Sequence, residues 1–288
     1  MRVATTLRTL VPVFILALLC LPAATAQETY KTFEDAFSQG ARLLRDKQVA
    51  ASQAPLEAAL RLAPDDKRRL DAYQALVPAY RMLPEIDKML EACDFIIRHS
   101  EQRAARSIAS RDVVSFLHQR GKIDAGIERY QAQLKADAND MAALTVLSTI
   151  YTRLQRDAAK GGEMTTRLDE ANRKLAEKVA ERNEKHAEAA PRLESWLLKD
   201  AAVAWLEAGD KAKALAAAKK SAAGPGEQRS AGLTYYWREA LGDVFLQTGE
   251  PVMAVVQYEA AKTSAISDSH RQKVEKKLEE AKASSSKK

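Results

Sequence analysis

The sequence of 288 residues predicts an all-α fold made of antiparallel helix pairs, and three observations point to it. Alanine, leucine and charged residues dominate, with apolar positions at helical spacing and no alternating strand pattern. The helical pattern breaks at short intervals, which implies helix hairpins. The position expected to carry a small residue at a helix crossing recurs at 40, 77, 114, 148, 202 and 242, intervals of 37, 37, 34, 54 and 40. Such a period indicates a repeated supersecondary unit that buries its apolar face only by stacking on its neighbours.

The pair over 231–263 shows the pattern best. In Leu241-Gly242-Asp243-Val244-Phe245-Leu246-Gln247-Thr248-Gly249 a small residue lies in the first helix and a glycine makes the turn; Ala254, Tyr258 and Ala261 follow at i, i+4 and i+7. Small residues at these places let two antiparallel helices cross closely. The stretch resembles a tetratricopeptide repeat, and degenerate copies lie upstream. The resemblance implies a right-handed superhelical array, an α-solenoid of about six pairs, with the first helix of each pair lining a concave groove.

In the first pair, 33–65, Thr32 and Asp35 form a capping signal, and Gly40, Leu43, Leu56, Ala59 and Pro64 fall on repeat positions. Pro55 sits inside the second helix and predicts a kink or a late start there. The second pair, about 70–100, keeps Leu76 and Tyr80, but Val77 replaces the small residue and Pro78 intrudes. Pro84, Glu85 and Asp87 suit a helix start, and Arg98 and His99 suit its end. The third pair, about 106–139, turns at Gly121 and continues through Ala125, Gly126 and Tyr130.

The fourth pair begins at Met141, with Leu147 and Tyr151 in place, and its second helix is unusually long. Met164, Leu168, Ala171, Leu175 and Val179 form its apolar stripe. Asp169–Arg173, Glu170–Lys174 and Glu181–Lys185 have i,i+4 spacing that supports a helix. The stripe fades after Val179, so the distal half is expected to project into solvent. Pro191 opens the fifth pair, which contains Trp205, Gly209-Asp210, Ala214 and Leu215; the loop Ala222-Ala223-Gly224-Pro225-Gly226-Glu227 separates it from the sixth. The expected organisation is therefore a leader over 1–26, repeats over 27–160, a long charged helix over 161–190 and repeats over 191–266. A solvating helix over 267–283 and a frayed tail over 284–288 complete it.

Arg2 and Arg8, the apolar run Val11 to Leu21 and the small-x-small site Ala24-Thr25-Ala26 read as a secretory leader, which places the mature chain in the periplasm or outside the cell. The bulky Leu19 before Cys20 does not fit a lipidation site. Removal of the leader leaves Cys93 alone, so no intramolecular disulfide is possible, and Cys93 reads as a buried small hydrophobe. The net charge of +6 also shrinks: two positive charges leave with the leader, and residues 271–288 carry seven Lys/Arg against three Glu. The body over 27–270 is balanced, with 36 basic and 36 acidic residues, which argues against a nucleic-acid face.

No metal or cofactor site is expected. His99, His118, His186 and His270 are scattered, and the zinc, phosphate-loop, dinucleotide and nucleophile-elbow patterns are absent. The chain therefore reads as a binding protein and not an enzyme, although an enzyme with an irregular site and a structural protein self-associating through the charged helix are its rivals. By the resemblance, the groove is lined by Phe37 and Leu44; Arg81; Arg111, Ser115 and His118; Thr145, Thr149 and Thr152; Trp196 and Lys199; and Tyr236, Glu239, Asp243 and Leu246. Trp196, Tyr236 and Lys199 are the expected hot spot for a protein or peptide partner. The family's lysine–asparagine clamp for a terminal carboxylate has no counterpart, because Ala41, Pro78, Ser115, Thr149, Val203 and Asp243 stand where its asparagine would be. Mass spectrometry of the chain recovered from a secreting bacterial host is expected to show an N-terminus at Gln27; retention of Met1 would overturn the export reading.

Overall fold

The structure, a computed structural model, describes residues 30–84, 86–224 and 230–286. The leader with Ala26 and Cys20, the helix-start residue Glu85 and the loop residues Pro225, Gly226 and Glu227 lie outside them. Every regular element among the described residues is a helix: α1 (Phe33–Arg45), α2 (Val49–Leu62), α3 (Asp66–Tyr80), α4 (Ile86–His99), α5 (Arg103–Gln119), α6 (Ile123–Ala136) and α7 (Met141–Thr149). After a π-helical turn at Ile150–Gln155 come α8 (Ala158–Ala189), a 3-10 turn at Pro191–Leu193, α9 (Glu194–Ala208), α10 (Lys211–Ala223), α11 (Ala231–Gln247), α12 (Pro251–Thr263) and α13 (Asp268–Ser285). Within each of its two units, consecutive helices pack against one another and are joined by short turns. The chain forms two compact units, divided between Met82 and Leu83.

In the first unit Thr32 caps α1, its hydroxyl accepting from the Asp35 amide at 3.2 Å. Phe33, Ala36, Ala58, Ala59 and Ala72 form the core, with Phe37 packed against it. Pro55 does not delay α2, which begins six residues earlier at Val49. The ring is buried, so its apolar packing compensates for the hydrogen bond it cannot donate. Pro78 likewise lies inside α3, two residues from its end.

Helix crossings repeat one device. A Cβ added to Gly40 would lie 2.4 Å from Leu56 Cγ, and one added to Gly242 would lie 2.4 Å from Tyr258 Cε1. In the α5–α6 pair the small residue sits on the second helix: a Cβ on Gly126 would meet Leu117 Cδ1 at 2.5 Å. The turns repeat a second device. Gly121, Gly209 and Gly249 have φ of 63°, 87° and 85°, the left-handed region that glycine enters without steric penalty. The amide of the next residue then reaches back into the helix: Lys122 to Leu117 O at 2.9 Å, Asp210 to Trp205 O at 3.0 Å and Glu250 to Phe245 O at 2.8 Å. The first hairpin closes identically, Gln48 to Leu43 O at 2.8 Å, with Lys47 at φ 60° in place of glycine.

These two devices are locked in register. Seven residues separate the crossing position from the left-handed residue in four hairpins: 40 to 47, 114 to 121, 202 to 209 and 242 to 249. In the fourth pair the same interval, from Ser148 to Arg156 at φ 54°, is eight. The extra residue is absorbed by the π-helical turn Ile150–Gln155, whose i→i+5 bonding accommodates one more residue before the chain reverses. Asp157 then caps α8, accepting from the Lys160 amide at 3.0 Å.

The distal half of α8 does not project into solvent. Ala176, Ala180, Asn183 and Ala187 are buried, and the Trp205 indole on α9 donates to Glu184 at 3.0 Å. The buried face continues as alanines, which add little hydrophobicity to the sequence pattern but permit close approach of α9. Charged positions of α8 also reach α5 and the loop that precedes it. Asp169 pairs with Arg103 at 3.1 Å and not with Arg173, and Arg182 pairs with Glu101. The core of the C-terminal helices runs from α8 to α13. It centres on fully buried Trp237, whose indole donates to Ser221 Oγ at 3.1 Å while Ser221 donates to Ser195 O at 2.6 Å. Cys93 is fully buried in α4.

If the crossings are as tight as the distances state, Gly242→Leu should lower stability by about 1–3 kcal/mol through overpacking against Tyr258. Gly162→Ala, in α8 with nothing within 4 Å of the new methyl, should raise it by about 0.5–1 kcal/mol. Urea denaturation followed by circular dichroism checks both; equal midpoints for the two variants would refute the assignment of the crossings.

Candidate functional site

The residues expected to line a groove fall into separate groups. Arg81 caps the end of α3 and is exposed in the first unit. Arg111, Ser115 and His118, spaced at i, i+4 and i+7 on α5, come together with Thr149 and with Arg153 and Leu154 of the π turn around a cleft of about 210 Å³ floored by Val114. Thr149 is anchored there by its neighbours: its hydroxyl lies 2.7 Å from Ser110 Oγ and donates to Thr145 O at 2.8 Å. Thr145 is buried between helices. Thr152 faces α8, where a Cβ on Gly161 would meet its methyl at 2.8 Å. The π turn thus presents Arg153 and Leu154 to the cleft where the expected register gave Thr152.

Arg111, His118 and Arg153 are exposed, and no carboxylate lines the cleft. Among the described residues neither arginine lies within ion-pairing distance of an acid; Arg111 donates through Nε to Ser107 O of its own helix at 3.3 Å. A larger hollow of about 420 Å³ lies between α4 and α6, lined in part by Asp87, Lys122 and Arg129. Its arginine is committed internally, with Nη2 3.0 Å from buried Asp94, which also accepts from Tyr130 at 2.8 Å.

Trp196 and Lys199 meet on α9, the ammonium 5.4 Å from the indole centroid. Trp196 is half-buried and stacks on Trp237 at 6.4 Å. Tyr236 is 51% exposed and engages His270 of α13, its hydroxyl 3.1 Å from Nε2. It is held by α13, whereas Trp196 and Lys199 belong to the α9–α11 packing.

Glu239 and Asp243 face α13. Glu239 is buried, with Lys273 and Lys277 at 2.8 and 2.7 Å; Lys277 also reaches Asp243 at 2.7 Å, and Asp243 accepts from the Tyr258 hydroxyl at 2.7 Å. Burial alone would raise the Glu239 pKa, but hydrogen bonds from Lys273 and Lys277 more than offset it and hold the group below its ordinary value. Burial opposes the charge on Lys277, and its bonds to Asp243 and Glu239 reverse that too, leaving its pKa raised. Both carboxylates are engaged by the lysines of α13.

What the sequence reading missed are Val114, Arg153 and Leu154. The signal for the last two is the eight-residue interval between Ser148 and Arg156, visible once the turn register is known. No family model matches the chain, and no curated protein matches it. It is similar to the crystal structure of a tetratricopeptide repeat protein from Parabacteroides merdae ATCC 43184, with 15% identity over 86% of this chain and 98% of that one and a TM-score of 0.30. At that score the likeness carries no argument, and the class of protein, an all-α array of antiparallel helix pairs, rests on the helices, crossings and turns themselves.

Lys277→Met removes one of the two lysines that hold buried Glu239, and the lysine partner of Asp243, and should destabilise the chain by about 1–3 kcal/mol at neutral pH. A lowered glutamate pKa contributes stability that is present above the ordinary value of 4.5 and lost as pH falls through the lowered one. The deficit should therefore narrow in acid, and urea midpoints at both pH values would show it; a deficit unchanged in acid would contradict the pairing.

Proposed function

We propose that this chain is an exported interaction scaffold that holds a protein or peptide segment of a cell-envelope partner against the first-helix face of α5 and α7. The observation that carries the reading is the cleft between α5 and the π turn, where an apolar floor is rimmed by exposed cationic groups that have no acidic partner among the described residues. Repeated hairpins provide a rigid support, and an extended segment lying in such a cleft gains affinity from one buried anchor and specificity from rim charges. Self-association through the long charged helix is less well supported, because α9 covers its buried stripe and Asp169 and Arg182 are paired with α5 and its leading loop. The envelope location rests on the leader-like residues 1–26 and Ala24-Thr25-Ala26.

Selection from a random display library of disordered peptides on the full mature chain tests this reading. The expected outcome is a set of binders that lose roughly tenfold in affinity when exposed Leu154 is changed to Asp, with an unchanged melting curve. Failure to enrich any peptide above an unfolded control, or indifference of every binder to Leu154→Asp, would overturn it.

A further inference from the structure

Resting on that reading of the cleft, we infer that its occupant is an acidic protein segment carrying one aliphatic side chain. Charge carries the first half of the argument. The folded body is balanced, with 36 basic and 36 acidic residues over 27–270, and several of its arginines meet acids on other elements: Arg98 to Asp140, Arg103 to Asp169, Arg129 to Asp94 and Arg182 to Glu101. Arg111 and Arg153 line one cleft together with His118, and no acid is in the lining. Two guanidiniums around one cleft favour a ligand with carboxylates at matching positions, bound bidentately.

The shape of the cleft supplies the second half. Val114 and Leu154 give it an aliphatic floor, and Ile108, one turn before Arg111 on the same face of α5, is 51% exposed. A volume of about 210 Å³ admits a single aliphatic side chain; it is also below the roughly 300–1,000 Å³ of a small-molecule pocket. The lining contains no Phe, Tyr or Trp on which a base could stack, which separates it from single-stranded nucleic-acid grooves. The chain's own C-terminal stretch cannot be the occupant by charge, since residues 271–288 are strongly basic. The one-residue insertion that forms the π turn is what brings Arg153 and Leu154 to this place, and such turns recur at functional sites.

The test is fluorescence anisotropy on the full mature chain with four labelled probes: an acidic peptide with a central leucine, the same peptide with serine there, a lysine-for-carboxylate version, and a single-stranded oligonucleotide of equal charge. The acidic leucine peptide should bind tightest, lose roughly tenfold on charge inversion and several-fold on loss of leucine, and weaken as salt rises. Arg111→Glu with Arg153→Glu should reverse the preference toward the basic peptide; Arg111→Gln with Arg153→Gln, milder toward folding, should abolish the preference. Equal or tighter binding of the basic peptide or the oligonucleotide would overturn the inference, as would an affinity that neither double variant changes. Library binders that need Leu154 but are not acidic would sink this inference and leave the scaffold reading standing, whereas no peptide binding at all would sink both.

Discussion

Each hairpin is limited by how closely two helices approach at their crossing. Where Gly40 meets Leu56 and Gly242 meets Tyr258, even a methyl group would have to displace a large buried side chain. A close crossing brings the flanking residues of both helices into contact along their length. It therefore decides which positions are core, and stacking the next hairpin onto that core is what the remaining helices do. Where glycine moves to the other helix, as at Gly126 opposite Leu117, the approach survives because the condition is on the pair and not on either strand of the hairpin.

The turn is coupled to the crossing by chain length. A left-handed residue seven positions after the crossing closes four hairpins with the same backbone hydrogen bond, and Lys47 accepts that conformation where glycine is absent. One additional residue in the fourth pair could not be placed in a loop without shifting the closure, so the helix widens into a π turn. The same local adjustment moves Thr152 against Gly161 and gives the α5 cleft its second arginine and its leucine. A packing problem and a candidate binding surface thus have one origin.

Polar groups complete the C-terminal half and give it specificity that alanine cannot. Trp237, Ser221 and Ser195 tie α9, α10 and α11 through one hydrogen-bond chain. Glu239, Lys277, Asp243 and Tyr258 tie α11, α12 and α13. In each case a buried polar group finds its partner on a different helix, so the network resists sliding of one helix past another. The terminal helix is therefore both a solvated cap on its outer face and the counter-charge for two acids of α11.

The helical class and the approximate limits of the helices were legible in the sequence, because small residues, glycine turns and caps act within a hairpin and leave a periodic trace. Gly242 with Tyr258, Gly121, Gly209 and the Thr32 cap are local facts of that kind. The alanine face of distal α8, buried by α9, left too weak an apolar trace to read, and a proline's burial, as at Pro55, is invisible in its spacing. Of the residues expected at a groove, Arg111, Ser115 and His118 converge, whereas Glu239 and Asp243 are taken by the lysines of α13. Charge partners and solvent exposure are settled between elements distant in sequence, and one inserted residue sets the direction of Thr152, Arg153 and Leu154 within the π turn. Those were decisions of the tertiary structure alone.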